Sequence, residues 1–287
     1  MESQKQTPVN ISKSSMSGKC DEKCAYSFKY NISPSCKANN YSSYISLTYD
    51  SGTTPPAVFN NFSYNVNNIE IYSPSVHYFN GQHVDAEIII NHTSNSTGAP
   101  LLICIPISVS GISTAGSQII TDIINSVSSY PLKPKDPAIT ININNYNLED
   151  IIPKDPYFYY IGKTQNANIV VFNITSAISI SQSSIDKLKS IINGSNHTVA
   201  PSLDNSVFYN QNGPSTAGSA SLDDGIYIDC KPTGDSEEKT DVTFKKPTYF
   251  YLNLSNYISS DVLILLVGAV GFMVLIILIN KLIVYLS

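Results

Sequence analysis

The chain has 287 residues, enough for one large domain or two small ones, and 42% of them are apolar, so a sizeable core can be buried. Charged residues make up only 14% and the formal net charge is −5, which argues against nucleic acid, or any other polyanion, being held by whole-molecule attraction. Ile, Asn, Ser and Thr are abundant, Tyr numbers 19 and Trp is absent. Aromatic and β-branched residues favour strands, so the composition predicts a mainly β domain, although an AT-rich genome would impose part of the same bias.

Residues 1–25 form a polar N-terminal segment expected to be loosely ordered, and MESQKQTPVNISKSS holds no apolar h-region of a signal peptide. Cys20, Cys24 and Cys36 crowd this end. Together they could bind zinc, but their spacing follows no strong pattern, and the odd total of five cysteines leaves one thiol over if the others pair. Sequons occur at Asn61, Asn91, Asn95 and Asn193, as this much Asn and Ser would produce by chance, and they matter only in a luminal compartment.

From residue 26 to 230, short apolar runs alternate with turn signals. ISLTYD, IEIYS, AEIIIN, LLICIPISV, AITINI, ANIVVFNI and GIYID read as strands. IITDIINSVSSY and SSIDKLKSIING carry helical spacing, the second behind a Ser-rich cap. Cys104, inside LLICIPI, is expected in the core. Asn80-Gly81 is a hairpin signal. Strand alternation places Glu70 and Tyr72 on one face, and Glu87, Ile89 and Asn91 on one face of the next strand with Ile88, Ile90 and His92 opposite. His77, His83 and His92 are expected to be structural or solvent-exposed.

Residues 231–260 begin as a charged linker and turn aromatic, as a juxtamembrane segment would. Within 261–287, the run from Val262 to Ile279 is uncharged, apolar and about long enough to span a bilayer, with Lys281 placed to snorkel. This predicts a single-pass C-terminal anchor. The positive-inside rule would put the domain across the membrane, whereas insertion without a signal peptide would leave it facing the cytoplasm, which is the favoured orientation.

The stretch IEIYSPSVHYFNGQHVDAEIIINH (69–92) resembles the α-class carbonic anhydrases. Ser73-Pro74-Ser75, His77, Asn80-Gly81, Glu87 and His92 stand where that family has A/S-P-S, H, N-G, E and its last H. Ile32-Ser33-Pro34, ISLTYD, FNNFSYNVNN and YNLEDIIPKDPYFYYIGK extend the resemblance in the family's order, over roughly residues 26–230. The resemblance implies a wide, twisted, mostly antiparallel sheet with short peripheral helices. It also implies lost chemistry. The family's three zinc-binding histidines fall on Glu70, Tyr72 and Ile89, and Ile89 cannot coordinate a metal. Glu87 keeps a carboxylate that in the family orients a ligand histidine. The proton-shuttle position is Ser63, behind Phe62, and the hydroxide-orienting hydroxyl is replaced within KTQNAN by Gln165 or Asn166. No catalytic residue, metal or cofactor is therefore expected.

The same family includes zinc-less members on poxvirus envelopes with a C-terminal membrane helix and no signal peptide. The resemblance implies a virion membrane protein with an acatalytic domain, linking membrane to capsid or other virion proteins. The alternative it implies is a host-cell attachment protein for a glycosaminoglycan or another surface receptor. Only 17 Lys and Arg are spread along the chain, which favours the structural role.

Overall fold

A computed structural model describes residues 8–216, apart from 22, 97, 111–112, 131–132, 164 and 195–205. The predicted strand GIYID, Cys230, the linker 231–260 and the predicted span 262–279 lie outside the described residues. Among the described residues no helix is long and apolar enough to cross a membrane.

In chain order the strands are β1 (Asn10–Ile11), β2 (Met16–Lys19), β3 (Tyr26–Phe28), β4 (Cys36–Asn40), β5 (Tyr44–Leu47), β6 (Ala57–Phe59), β7 (Phe62–Tyr72) and β8 (Tyr78–Phe79). They continue with β9 (Ala86–Ser94), β10 (Leu101–Ser108), β11 (Ile139–Ile141), β12 (Tyr157–Ile161), β13 (Asn168–Phe172), β14 (Ile178–Ser179), β15 (Val207–Asn210) and β16 (Ser215–Thr216). Fourteen of these strands form one sheet, ordered β11-β4-β5-β7-β9-β10-β13-β12-β15-β2, with β14 beside β10 and β6, β3 and β16 branching from β7. Most pairings are antiparallel; β10 meets β13 and β14 in parallel. A mainly β fold with a wide sheet and short helices is thus what the chain adopts.

The sheet's centre follows from its sequence. Every residue of β10, LLICIPIS, is buried, the pattern of a strand covered on both faces. Its neighbour β9 sends Ile88 and Ile90 into one apolar cluster and Ile89 into another. The larger cluster lies beneath helices α1 (Ala115–Ser129) and α2 (Gln182–Ile191), which pack against each other. In α1, Ile119, Ile120, Ile123, Ile124 and Val127 form the buried stripe expected of a 3.6-residue period. Each helix starts at a polar cap: Ser117 N–H donates to Thr114 Oγ1 (3.3 Å) and Ser184 N–H to Ser181 Oγ (3.1 Å).

Turns rely on Asn as much as on Gly. Asn80 (φ 50°) and Gly81 (φ 84°) close the predicted hairpin, Asn60 and Asn61 (φ 47° and 67°) join β6 to β7, and Gln165 and Asn166 (φ 57° and 51°) lie between β12 and β13. Asn tolerates the left-handed region better than other side chains, so part of the Asn excess has a structural use.

The N-terminal segment differs from its expectation. β2 forms the sheet's edge beside β15, and β1 pairs with β8. Val9 and Ile11 are buried against the smaller cluster, which supplies the apolar anchorage that a reading of the segment as uniformly polar overlooks. Nor do Cys20, Cys24 and Cys36 form a zinc trio: Cys20 and Cys24 share a disulfide, while Cys36 is a buried free thiol. Burial pushes that thiol up to about 12.

Candidate functional site

Residues directly opposite each other on paired strands present their side chains to the same face of the sheet. The register therefore defines a row across five strands. Ser46 of β5 opposes Glu70 of β7, Glu70 opposes Ile89 of β9, Ile89 opposes Cys104 of β10, and Cys104 lies beside Val171 of β13. The next row holds Tyr44, Tyr72 and Glu87. The three positions predicted as former zinc ligands, Glu70, Tyr72 and Ile89, are brought together on one face.

They do not make a metal site. Tyr72 Oη donates to Glu70 Oε2 (2.8 Å), and Asn68 Nδ2 donates to Glu70 Oε1 (3.1 Å). Both carboxylate oxygens thus have protein donors. Ile89 is 3% exposed and packs with Leu102, Cys104 and Val171 in the smaller apolar cluster. A zinc ion needs three donors converging on one point, and here a hydrocarbon occupies the third position. The residues present do not fit the metal.

Beside them, His77, Glu87 and Cys104 bring one potential ligand atom each to within 4.8 Å of the others, all buried. This cluster is already satisfied internally. Glu87 Oε2 accepts from the backbone N–H groups of Val76 and His77 (2.7 and 2.9 Å), and its Oε1 lies 2.6 Å from His77 Nδ1. His77 Nε2 lies 2.7 Å from Tyr160 Oη. A carboxylate only accepts, so His77 carries its proton on Nδ1, and Tyr160 donates to Nε2. Burial raises Tyr160 well above the ordinary phenol value, keeping that proton in place, and burial also holds the Cys104 thiol protonated. Metal binding would need the thiolate and the release of one of the two histidine hydrogen bonds.

The carboxylate of Glu87 thus orients a histidine after all, but the histidine is His77. The Asn80-Gly81 turn signal brings residues 77 and 87 near each other but does not specify that their side chains pair. His92 is equally structural: its Nδ1 faces the carbonyl oxygens of Ile90 and Leu101 (3.1 and 3.3 Å), so Nε2 accepts from Tyr30 Oη (2.7 Å). Burial lowers His92 to about 4. His83 packs against Tyr78, the ring centres 4.0 Å apart and the planes tilted by 39°.

The remaining predicted positions stand apart. Ser63, at the start of β7, is half-buried, and Phe62 is exposed. Gln165 and Asn166 are exposed in the turn after β12. Asn168, just past that turn, pairs with Leu101, three residues along the strand from the row of Glu70 and Ile89.

One feature of this face carried no sequence signal. The exposed Tyr41 ring stacks on Tyr44 (5.0 Å, 12° between planes), and Tyr44 leans on Tyr72 (5.1 Å, 34°). Alternation on β5 could have placed Tyr44 on this face, but Tyr41 sits in a turn where period-2 reasoning gives no direction.

No protein-family model matches the chain, and no curated protein matches it. Solved structures do. A crystal structure of dioscorin complexed with ascorbate covers 75% of this chain and 89% of its own at 18% identity, with a TM-score of 0.56. Carbonic anhydrase Cah3 from Chlamydomonas reinhardtii, in complex with acetazolamide, covers 72% and 90% at 18% identity with a TM-score of 0.57. The α-carbonic anhydrase of Photobacterium profundum covers 72% and 90% at 15% identity, also with a TM-score of 0.57. The chain is folded as the α-carbonic anhydrases and dioscorin are.

Proposed function

We propose that this is a carbonic-anhydrase-fold protein that does not hydrate CO₂ and acts through its surface, held at a virion membrane by residues 262–279 and linking that membrane to capsid or other virion proteins. The observation that carries the loss of catalysis is the filled floor: Glu70 is engaged by Tyr72 and Asn68, and Ile89 closes the third position. The apolar run 262–279 supports the membrane attachment, and the net charge of −5 supports a protein partner over a polyanion. A second reading, attachment to a host-cell surface, is favoured by the exposed Tyr41 and its stack on Tyr44 beside the same floor.

Two measurements on the purified full chain test the catalytic part. Metal analysis after zinc loading and desalting should find no stoichiometric zinc, and CO₂ hydration should match the uncatalysed rate. Stoichiometric zinc with hydration above that rate would overturn the reading. Gentle disruption of purified particles tests the rest: the protein should remain with membrane and capsid components, and its absence from particles would remove the virion assignment.

A further inference from the structure

The same face of the sheet changes character away from its filled floor. Toward Val171 the row of Ile89 and Cys104 is closed and apolar. Toward β5 it is polar, partly open and almost free of formal charge. Ser46, Asn68, Glu70 and Asn91 are each half-buried. The register joins them: Ser46 opposes Glu70, and Asn68 opposes Asn91. Asn68 Nδ2 also reaches Ser46 Oγ (3.3 Å). Along one border of this strip stand the stacked rings of Tyr41, 53% exposed, and Tyr44.

We propose that this strip is a binding site for an uncharged saccharide chain, one pyranose ring stacking on the outer face of Tyr41, which Tyr44 backs, while hydroxyls of the adjoining units reach Glu70, Asn68 and Asn91. A pyranose ring has a flat C–H face and a rim of hydroxyls that both donate and accept, so it needs an aromatic surface beside mixed acceptors and amides. An ionised carboxylate offers about four acceptor positions. Two are taken on Glu70, by Tyr72 and Asn68, which fix its orientation and leave capacity for a ligand hydroxyl. Side-chain amides supply both donors and acceptors. None of the six side chains is basic, and Glu70 would repel sulfate, so a glycosaminoglycan is the wrong class of ligand for this strip.

The platform is also held in advance of binding. The turn carrying Tyr41 is closed by Tyr41 N–H to Tyr44 O (2.9 Å) and Ser42 N–H to Asn40 Oδ1 (2.7 Å). It is tied to the end of α2 by Asn193 N–H to Ser42 O (2.6 Å) and Asn40 Nδ2 to Ile191 O (3.2 Å). A surface already ordered loses little conformational entropy on binding. Burial and the nearby Glu70 hold the Tyr44 phenol up at about 12, so it remains a hydrogen-bond donor at neutral pH.

The proposal goes beyond the attachment reading by naming the ligand class, and it fails separately from the loss of hydration, because sugar binding and CO₂ hydration are different readouts. The test uses the full chain in a detergent without a sugar headgroup, titrated by calorimetry with cellohexaose, chitohexaose, mannohexaose and chondroitin sulfate at low and high salt. At least one neutral hexasaccharide should bind with an affinity insensitive to salt. Tyr41→Ala and Tyr44→Ala should each weaken it by about tenfold, Glu70→Gln should weaken it, and Tyr44→Phe, which keeps the ring, should retain most of it. Tyr41 is exposed, so its replacement leaves the core intact, and an unchanged circular dichroism spectrum confirms that. Binding by no neutral probe would overturn the proposal. So would binding indifferent to both alanine variants, or binding confined to chondroitin sulfate and abolished by salt.

Discussion

Two carboxylates on one face of the sheet differ in what their loss would cost. Glu87 is fully buried and satisfies three donors at once, the backbone N–H groups of Val76 and His77 and His77 Nδ1–H. Truncating it strands all three without water. Glu87→Ala is therefore expected to lower the unfolding free energy by about 3–5 kcal/mol. Glu70 is half-exposed, so water can replace its partners, and Glu70→Ala should cost about 1 kcal/mol or less. Urea titrations of the two variants check the contrast; equal losses would show that Glu87 is no more structural than Glu70. His92 makes a separate prediction in pH. Its folded value is about 4, below the ordinary 6.5, because burial disfavours the cation. The unfolded chain then binds a proton that the folded chain does not between those values. The stabilisation is complete above about pH 6.5, falls as pH drops toward 4, and flattens below it, amounting to about 3 kcal/mol across the window. Thermal melts across this range should show His92→Gln with a shallower loss than the parent. An identical slope would mean that His92 is already accessible to protons in the folded state.

At the scale of elements, the junction between α1 and the short 3-10 helix Leu148–Asp150 is the tightest that the sequence hides. A Cβ on Gly116 would sit 2.3 Å from the backbone oxygen of Asp150 and 3.1 Å from Ile151 Cα. Backbone cannot rotate away as a side-chain tip can. Gly116→Ala is thus expected to destabilise by about 1–3 kcal/mol, although alanine is the better helix former. A chemical-denaturation midpoint at or above the parent's would show that this contact is loose. The periodic elements were legible in the sequence because their burial is one-sided or complete: the Ile stripe of α1, the fully buried β10 and first half of β9, and the alternation at the end of β7. Strand β4, CKANN, was not legible. It contains no β-branched or aromatic residue, and its buried side comprises Cys36, Ala38 and Asn40. The N-terminal strands were hidden likewise, their anchorage resting on Val9 and Ile11 within a polar run. At the candidate site, alternation placed Glu70, Tyr72 and Ile89 on shared faces, and the hairpin signal brought Glu87 back beside them. The Glu87–His77 pairing and the Tyr41–Tyr44 stack depend on side-chain directions in a hairpin and a turn, which period-2 reasoning does not specify.

At the scale of the whole molecule, the described sheet and the proposed membrane anchor fall on separate stretches of the chain. The sheet supplies two apolar clusters, one beneath α1 and α2 and one around Ile89, Phe158 and Tyr160, and among the described residues their buried members lie between Val9 and Val207. The proposed anchor rests on the uncharged run Val262–Ile279, whose length would suit the hydrocarbon thickness of a bilayer. Removing residues 261–287 should therefore abolish membrane attachment and leave the sheet folded. The full chain is expected to stay in the membrane pellet after a carbonate wash. The truncated chain should move to the supernatant with the parent's β-rich circular dichroism. Truncated protein that still pellets with membranes would assign the attachment to the domain surface instead. Truncated protein that reaches the supernatant unfolded would show that the sheet needs the C-terminal residues for its stability.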